Sequence, residues 1–239
     1  MRRSTLAVAG ATAIAIHAAP LLTTNRALRR RLLPRLAGIG SNGQVALTFD
    51  DGPDPVSTPE FLAALDELAV KATFFMLGSM VRSNPRLAAE VADAGHEVAV
   101  HGDEHRSHLF RSAGDVRDDM TRATHTIAEA TGQSPAWFRP PFGTLSNAGL
   151  LTARRLGLRP VLWSAWGRDW RARATPASVT AELERDLGPG ATVLLHDSDR
   201  MSAPGSWRAA LGSVPALVDR CRAQGLAVGT LAEHGLPAN

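Results

Sequence analysis

Val45-Ala46-Leu47-Thr48-Phe49-Asp50-Asp51-Gly52-Pro53 is the stretch on which the fold turns. Val45–Phe49 is a short, β-rich and mostly apolar run that ends on two adjacent carboxylates and a turn, the pattern of a buried strand carrying polar chemistry at its carboxyl end. Side chains alternate across a strand, so Asp50 and Asp51 cannot point the same way. One can bind a cation while the other stays free to handle a proton. Asp-Gly and Gly-Pro are also common turn dipeptides, so the pair acquires meaning from the residues that join it.

Beyond this stretch, strands are expected near Ala72–Leu77, Glu97–Val100, Trp137–Phe138, Pro160–Trp163, Thr192–Leu195 and Leu226–Thr230. Helices are expected near Pro59–Leu68, Pro85–Ala94, Gly114–Ala130, Ala148–Leu156, Pro176–Leu187 and Trp207–Ala223, where apolar residues recur three and four apart. Thr58 and Thr175, each before a proline, are the expected N-caps of two of them. Regular alternation of this kind gives parallel strands with right-handed crossovers, hence an α/β barrel or a doubly wound sheet. Asp50 and Asp51 then follow the first strand, His101 the third, Arg139 the fourth, Asp169 the fifth and His196 the sixth. In a barrel these carboxyl-end loops share one mouth.

The 239 residues suffice for one large α/β domain. At 44% hydrophobic and 21% charged, the composition excludes collagen-like, coiled-coil and wholly disordered chains. The single cysteine, Cys221, has no internal disulfide partner, so stability rests on packing or bound metal. The formal charge of +3 is unevenly spread: of the 26 basic residues, seven arginines precede Asp50, so the 19 that remain face all 23 acidic residues. The body is mildly acidic and has no basic stripe interleaved with aromatics, so a nucleic-acid partner is not expected.

Residues 1–43 stand apart from the domain expected over 44–239. Met-Arg-Arg precedes an Ala-rich apolar stretch, Leu6–Leu22, which is shorter than the roughly 20 residues of a spanning helix but fits the apolar region of an export signal or anchor. No small-x-small cleavage site follows, and the arginine cluster after it is unusual for a cleaved signal. An Ala-rich helix of the folded protein followed by an Arg-rich surface segment is the alternative.

Four further motifs carry polar chemistry. In His101-Gly102-Asp103-Glu104-His105, a helical turn would set residues i and i+4 on one face, where two imidazoles can meet one ion. With Asp51 they make three protein ligands, the number that leaves a coordination position open for catalysis. Two His and one Asp suit zinc, cobalt or nickel. In Phe138-Arg139-Pro140-Pro141-Phe142-Gly143, the prolines stiffen the turn and the amide of Phe142 is a free oxyanion donor, while Arg139 can keep a carboxylate ionised. Trp163, Trp166 and Trp170 place three indoles within eight residues, a stacking surface for sugar rings if they border the site. Leu194-Leu195-His196 ends a buried strand on a histidine suited to proton transfer if a carboxylate such as Asp169 holds its second nitrogen.

The order Thr-Phe-Asp-Asp-Gly-Pro, His-x-x-x-His, Arg-Pro-Pro-Phe-Gly, Asp-Trp and Leu-x-His resembles the five motifs of the NodB-homology polysaccharide deacetylases, carbohydrate esterase family 4, over about residues 44–231. The resemblance implies a distorted (β/α) barrel of about seven parallel strands. It implies that Asp50 is the general base, that Asp51, His101 and His105 hold a divalent metal, most simply Zn2+ with Co2+ or Ni2+ possible, and that Arg139 orients Asp50. It further implies that the Phe142 amide stabilises the oxyanion, that Asp169 orients His196 as general acid, and that Trp170 and Leu194 line the acetyl pocket. Three positions depart from the pattern: Gly102 replaces a Ser or Thr whose hydroxyl would brace the metal loop, Phe142 replaces a Tyr, and Trp166 stands where many members carry Asp.

The expected activity is metal-dependent removal of N-acetyl groups from an amino-sugar polymer or oligomer, peptidoglycan or chitin-like, by a monomeric chain. It would act outside the cytoplasm, secreted or membrane-anchored through residues 6–22. An O-acetyl esterase, a small-molecule amidohydrolase on the same barrel and a non-catalytic carbohydrate-binding relative are the alternatives.

Overall fold

The computed structural model describes residues 23–236; the apolar stretch Leu6–Leu22 lies outside the described residues. The chain forms helix α1 (Arg26–Leu32), strand β1 (Val45–Asp50), α2 (Thr58–Glu67), β2 (Thr73–Met76), α3 (Gly78–Ser83), α4 (Pro85–Asp93), β3 (Glu97–Val100), α5 (Ala113–Thr131) and β4 (Trp137–Phe138). It continues through α6 (Asn147–Arg155), β5 (Arg159–Pro160), β6 (Ala165–Trp166), α7 (Pro176–Glu184), β7 (Thr192–His196), α8 (Trp207–Ala223) and β8 (Val228–Gly229). The strands pair in the order β5-β4-β3-β2-β1-β7-β6, every pair parallel, and β8 also pairs with β1. The sheet curls into a barrel that stays open between β5 and β6, the distorted barrel expected from the sequence.

All six residues of β1 are buried, as a parallel strand covered on both faces requires. Their alternation still sorts them. Val45, Leu47 and Phe49 belong to the main core beneath the helices, where Phe49 packs on Phe61 and Phe74 at ring separations of 5.0 and 5.1 Å. Ala46 joins Phe75, Ala99 and Trp137 in a smaller cluster inside the barrel. Thr48 and Asp50 share the inward face with Ala46, so the strand delivers one carboxylate to the barrel interior at its carboxyl end.

Residues 26–38 lie against the open seam. The Leu162 N–H donates to the Leu36 carbonyl at 2.8 Å, and Arg29 donates to the carbonyls of Thr23 and Trp163. Thr192, at the amino end of β7, donates to the Gly38 carbonyl. This segment therefore sits at the end of β7 opposite His196.

Several local expectations change. The fifth strand, expected over Pro160–Trp163, is limited to Arg159–Pro160, because from Leu162 the chain bonds to the amino-terminal segment. Asp169 accordingly follows the separate strand β6. The His101–His105 segment is a bend, not a helical turn: Gly102 adopts φ +100°, and the amides of Asp103 and Glu104 point to the Asp119 carboxylate. Helix α2 begins at Thr58, whose hydroxyl binds Asp197 and the Asp54 N–H and caps no helix amide. Thr175 does cap α7, in a reciprocal box with Ser178. Helix α3 is not among the expected segments and is shorter than two turns, and α1 falls in the Arg-rich stretch of residues 1–43 that the sequence sets apart.

Candidate active site

Asp50 and His196 end neighbouring strands and face each other in register, Asp50 lying between Phe75 and His196 across β2, β1 and β7. Around them opens a pocket of about 350 Å³, lined by Asp50, Asp51, His101, His105, Phe142, Trp163, Trp166, Trp170, Leu194 and His196 among others. Every candidate residue except Arg139 and Asp169 borders this pocket, and those two each bind one that does.

Asp51, His101 and His105 form the one cluster, among the described residues, of three donors close enough to share an ion. The Asp51 Oδ1 atom stands 3.4 Å from the Nε2 of His101 and 3.4 Å from that of His105. Two ligands each about 2.1 Å from a tetrahedral ion are about 3.4 Å apart. Asp51 Oδ1 is buried and has no hydrogen-bond partner, an arrangement that costs free energy unless something binds the oxygen. The donor set therefore fits a divalent metal. The His101 Nδ1 bonds the Arg139 carbonyl at 2.8 Å, which turns Nε2 toward Asp51. Asp51 itself takes φ +82°, a left-handed backbone that swings its side chain away from that of Asp50.

Electrostatics distinguish the three. Burial would raise the Asp51 carboxyl, but contact with His101 and the charges of His196, His101 and His105 outweigh it and hold the group down at about 2. Burial acts on His105 in the other direction and, with the charge of His101, lowers it to about 4. For His101 burial is overcome by Asp50 and Asp51, which raise it. A cation bound to the three would take the place of that proton.

Asp50 borders the cluster, its Oδ2 lying 3.7 Å from His101 Nε2, but its Oδ1 is taken by Arg139. The fully buried guanidinium donates to Asp50 Oδ1 at 2.6 Å, to Thr48 Oγ1 at 2.8 Å and to the Leu162 carbonyl at 3.0 Å, and it lies 3.9 Å from the Phe75 ring. Thr48, which the sequence did not single out beyond its motif, relays the tether to the Val193 carbonyl of β7 at 2.6 Å. On the other side of the pocket, Asp169 accepts the His196 backbone N–H at 2.8 Å and faces Nδ1 at 3.1 Å, leaving Nε2 toward the pocket. Burial would lower His196, but the charge and hydrogen bond of Asp169 raise it to about 10.

The rim is apolar. Phe142 is 58% exposed at φ +60° and packs edge-on against His105, with ring centroids 4.4 Å apart. Trp163, Trp166 and Trp170 form a run of neighbouring rings, 5.5 and 6.3 Å apart. Two carboxylates that sequence reasoning left aside complete the surroundings. Asp197 accepts from Gly52 N–H and Thr58, and its burial raises it to about 7. Asp119 holds the loop between the two histidines. Each is an acid placed at an otherwise buried position, the only signal that could have marked it.

Comparison with known proteins agrees with this geometry. The family model described as polysaccharide deacetylase matches residues 38–161. A chitooligosaccharide deacetylase of Bradyrhizobium is 37% identical over 160 residues, covering 66% of this chain and 73% of that protein. A peptidoglycan-N-acetylglucosamine deacetylase of Bacillus cereus is 37% identical over 155 residues, covering 64% and 72%. Among solved structures, a carbohydrate esterase family 4 pseudoenzyme from Bacillus anthracis superposes with a TM-score of 0.74 at 27% identity, over 82% of this chain and 66% of that one. With the matched family model, the open parallel barrel and the Asp-His-His cluster at its mouth, the chain belongs to the polysaccharide deacetylases of NodB homology.

Proposed function

We propose that this protein is a metal-dependent deacetylase that hydrolyses the N-acetyl amide of an amino-sugar polymer or oligomer and releases acetate. The observation that carries this reading is the separation of two carboxylates one residue apart: Asp51 lies with His101 and His105, while Asp50 is drawn aside to Arg139. One acid is thereby available to a cation and its neighbour to a proton.

Asp51, His101 and His105 would hold the divalent ion, most simply zinc, with cobalt or nickel suited to the same donors. When bound, that ion supplies Lewis acidity for the acetyl carbonyl and for the attacking water. Asp50, held in place by the Arg139 guanidinium, takes the proton of the attacking water. The backbone N–H of Phe142 donates to the oxyanion that develops on the carbonyl. His196, protonated through Asp169, gives its proton to the departing amine and frees the sugar amino group. Leu194 and Trp170 border the space for the acetyl methyl, and Trp163 and Trp166 offer faces on which a sugar ring can stack.

The relatives named for chitooligosaccharide and peptidoglycan N-acetylglucosamine support an N-acetylated glycan as substrate. A cell-wall glycan such as peptidoglycan would be met outside the cytoplasm, in keeping with the export signal or anchor expected in residues 6–22. No helix among the described residues is long and apolar enough to cross a membrane.

Acetate release from chito-oligosaccharides, peptidoglycan, an O-acetylated polysaccharide and small amides, with and without chelator, tests the reading. Chelator-sensitive release from an N-acetylated glycan is expected. Release only from the O-acetyl substrate, or only from small amides, would replace the proposed substrate class, and glycan binding with no release from any substrate would assign the chain to the non-catalytic relatives.

A further inference from the structure

The loop Gly102–Glu104 joins two of the three proposed metal ligands, and each peptide along it is tied down. The carbonyls of Gly102 and Asp103 accept from Gly78 and Ser79 N–H at the start of α3, both at 3.0 Å. The amides of Asp103 and Glu104 donate to one side chain, the carboxylate of Asp119, at 2.8 and 3.4 Å. Asp119 is 1% exposed and lies on the stripe Val116-Asp119-Met120-Ala123-Ile127 by which α5 enters the core. A carboxylate on a buried helix face is costly unless its charge is met. Here Arg111 meets it at 2.6 Å. Gly102 leaves the room this requires, since a Cβ there would come 3.1 Å from Asp119 Oδ2.

We infer that Asp119 is a positioning residue of the metal centre. By fixing the two amides between His101 and His105, it holds their imidazoles at the spacing a divalent ion needs, and so sets the affinity of the site. This rests on the reading of Asp51, His101 and His105 as ligands. It assigns to a helix carboxylate the bracing of a loop whose own residue 102 has no side chain. Groups hydrogen-bonded directly to metal ligands change metal affinity about 10–100-fold when removed, and Asp119 acts one step further out, on the loop amides between the two histidines.

The test is a zinc titration of the purified full-length chain against a chromogenic chelator, with differential scanning calorimetry of each metal-free protein. Asp119→Asn keeps the shape of the side chain, so its fold is retained. Its amide cannot accept from both loop amides, and with its oxygen toward Arg111 its NH2 opposes Asp103 N–H. Asp119→Ala removes the brace altogether, and Asp115→Asn weakens the exposed capping box at the start of the same helix without touching the loop. Zinc affinity is expected to fall about tenfold or more in Asp119→Asn and further in Asp119→Ala, and to stay at the wild-type value in Asp115→Asn even where its melting temperature falls. Wild-type affinity in Asp119→Asn would overturn the assignment, as would an equal loss in Asp115→Asn, which would mark a general consequence of weakening α5. A wild-type chain that binds no divalent ion would instead defeat the metal reading beneath it.

Discussion

The carboxylate of Asp169 grips His196 twice, accepting its backbone N–H at 2.8 Å and facing its Nδ1 at 3.1 Å. The double contact fixes the ring and its charge together, and it raises the imidazole to about 10 against the effect of burial. The folded value lies above the unfolded one near 6.5. The pair therefore contributes stability in full below that lower value, and loses it as pH rises toward and through about 10. In Asp169→Asn the largest opposing charge and its hydrogen bond are gone, and only the charges of Asp51 and Asp50 remain against burial, so His196 holds its proton less tightly. kcat/KM should fall about 10²–10⁴-fold, with the alkaline limb of its pH profile displaced to lower pH. An unmoved limb would separate His196 from the proton transfer.

Asp50→Asn tests the base. Arg139 and Thr48 remain to hold the amide in place, and Asp51, His101 and His105 are untouched. Turnover should fall about 10²–10⁴-fold while bound zinc, read by atomic absorption, stays stoichiometric. Arg139→Met behaves differently, because it strands a carboxylate that is 3% exposed. Removing one partner of such a buried pair costs about 3–5 kcal/mol, so a large fall in melting temperature accompanies the loss of activity.

The motifs at strand ends were legible because each combines a local pattern with chemistry: an apolar run ending on Asp50, a histidine closing β7, an arginine before two prolines. The frame was legible for the same reason, since buried parallel strands read as apolar runs. What escaped was decided by distant groups. The bend at His101–His105 depends on Asp119, sixteen positions away from Asp103. The short β5 depends on Leu36, which takes the Leu162 amide. Thr58 gave up the expected cap for Asp197, 139 positions along the chain. Local propensity carries no information about such partners.

Removing the metal should lower the melting temperature reversibly. A ligand that binds only the folded chain stabilises it by about 2.7 kcal/mol when present at 100 times its Kd, and Asp51 Oδ1 has no other partner. Protons compete for the same site. His101 is raised, so it protonates first as pH falls, while His105, near 4, stays neutral. Zinc affinity should therefore weaken as pH is lowered, and calorimetry with and without chelator at several pH values measures both effects. A chelator-insensitive melting temperature would oppose a bound ion.

Phe142→Gly separates the side chain from the backbone amide at the rim. Glycine accepts φ +60° without strain, so the turn closed by the Gly143 and Thr144 amides is retained. If the amide serves the oxyanion and the ring serves the substrate, KM should rise several-fold with kcat close to wild type. A collapse of kcat at unchanged KM would place the ring itself in the chemistry.

The open seam between β5 and β6 makes a prediction far from the catalytic groups. Arg29 is 4% exposed, donates to the carbonyls of Thr23 and Trp163, and lies 5.8 Å from the Trp163 ring. Burial, with the neighbouring charges of Arg26, Arg30 and Arg139, lowers it to about 10, still charged at neutral pH. Trp163 in turn forms pocket wall and packs so closely on Gly143 that a Cβ there would come 2.7 Å from the indole. Arg29→Met removes the hydrogen bonds to the Thr23 and Trp163 carbonyls and frees the indole to shift against the Phe142 turn. A lower melting temperature and a raised KM are expected together, whereas Arg30→Met, whose side chain is 40% exposed, should change neither appreciably. Loss of stability with wild-type KM would limit Arg29 to closing the seam and leave the pocket wall independent of it.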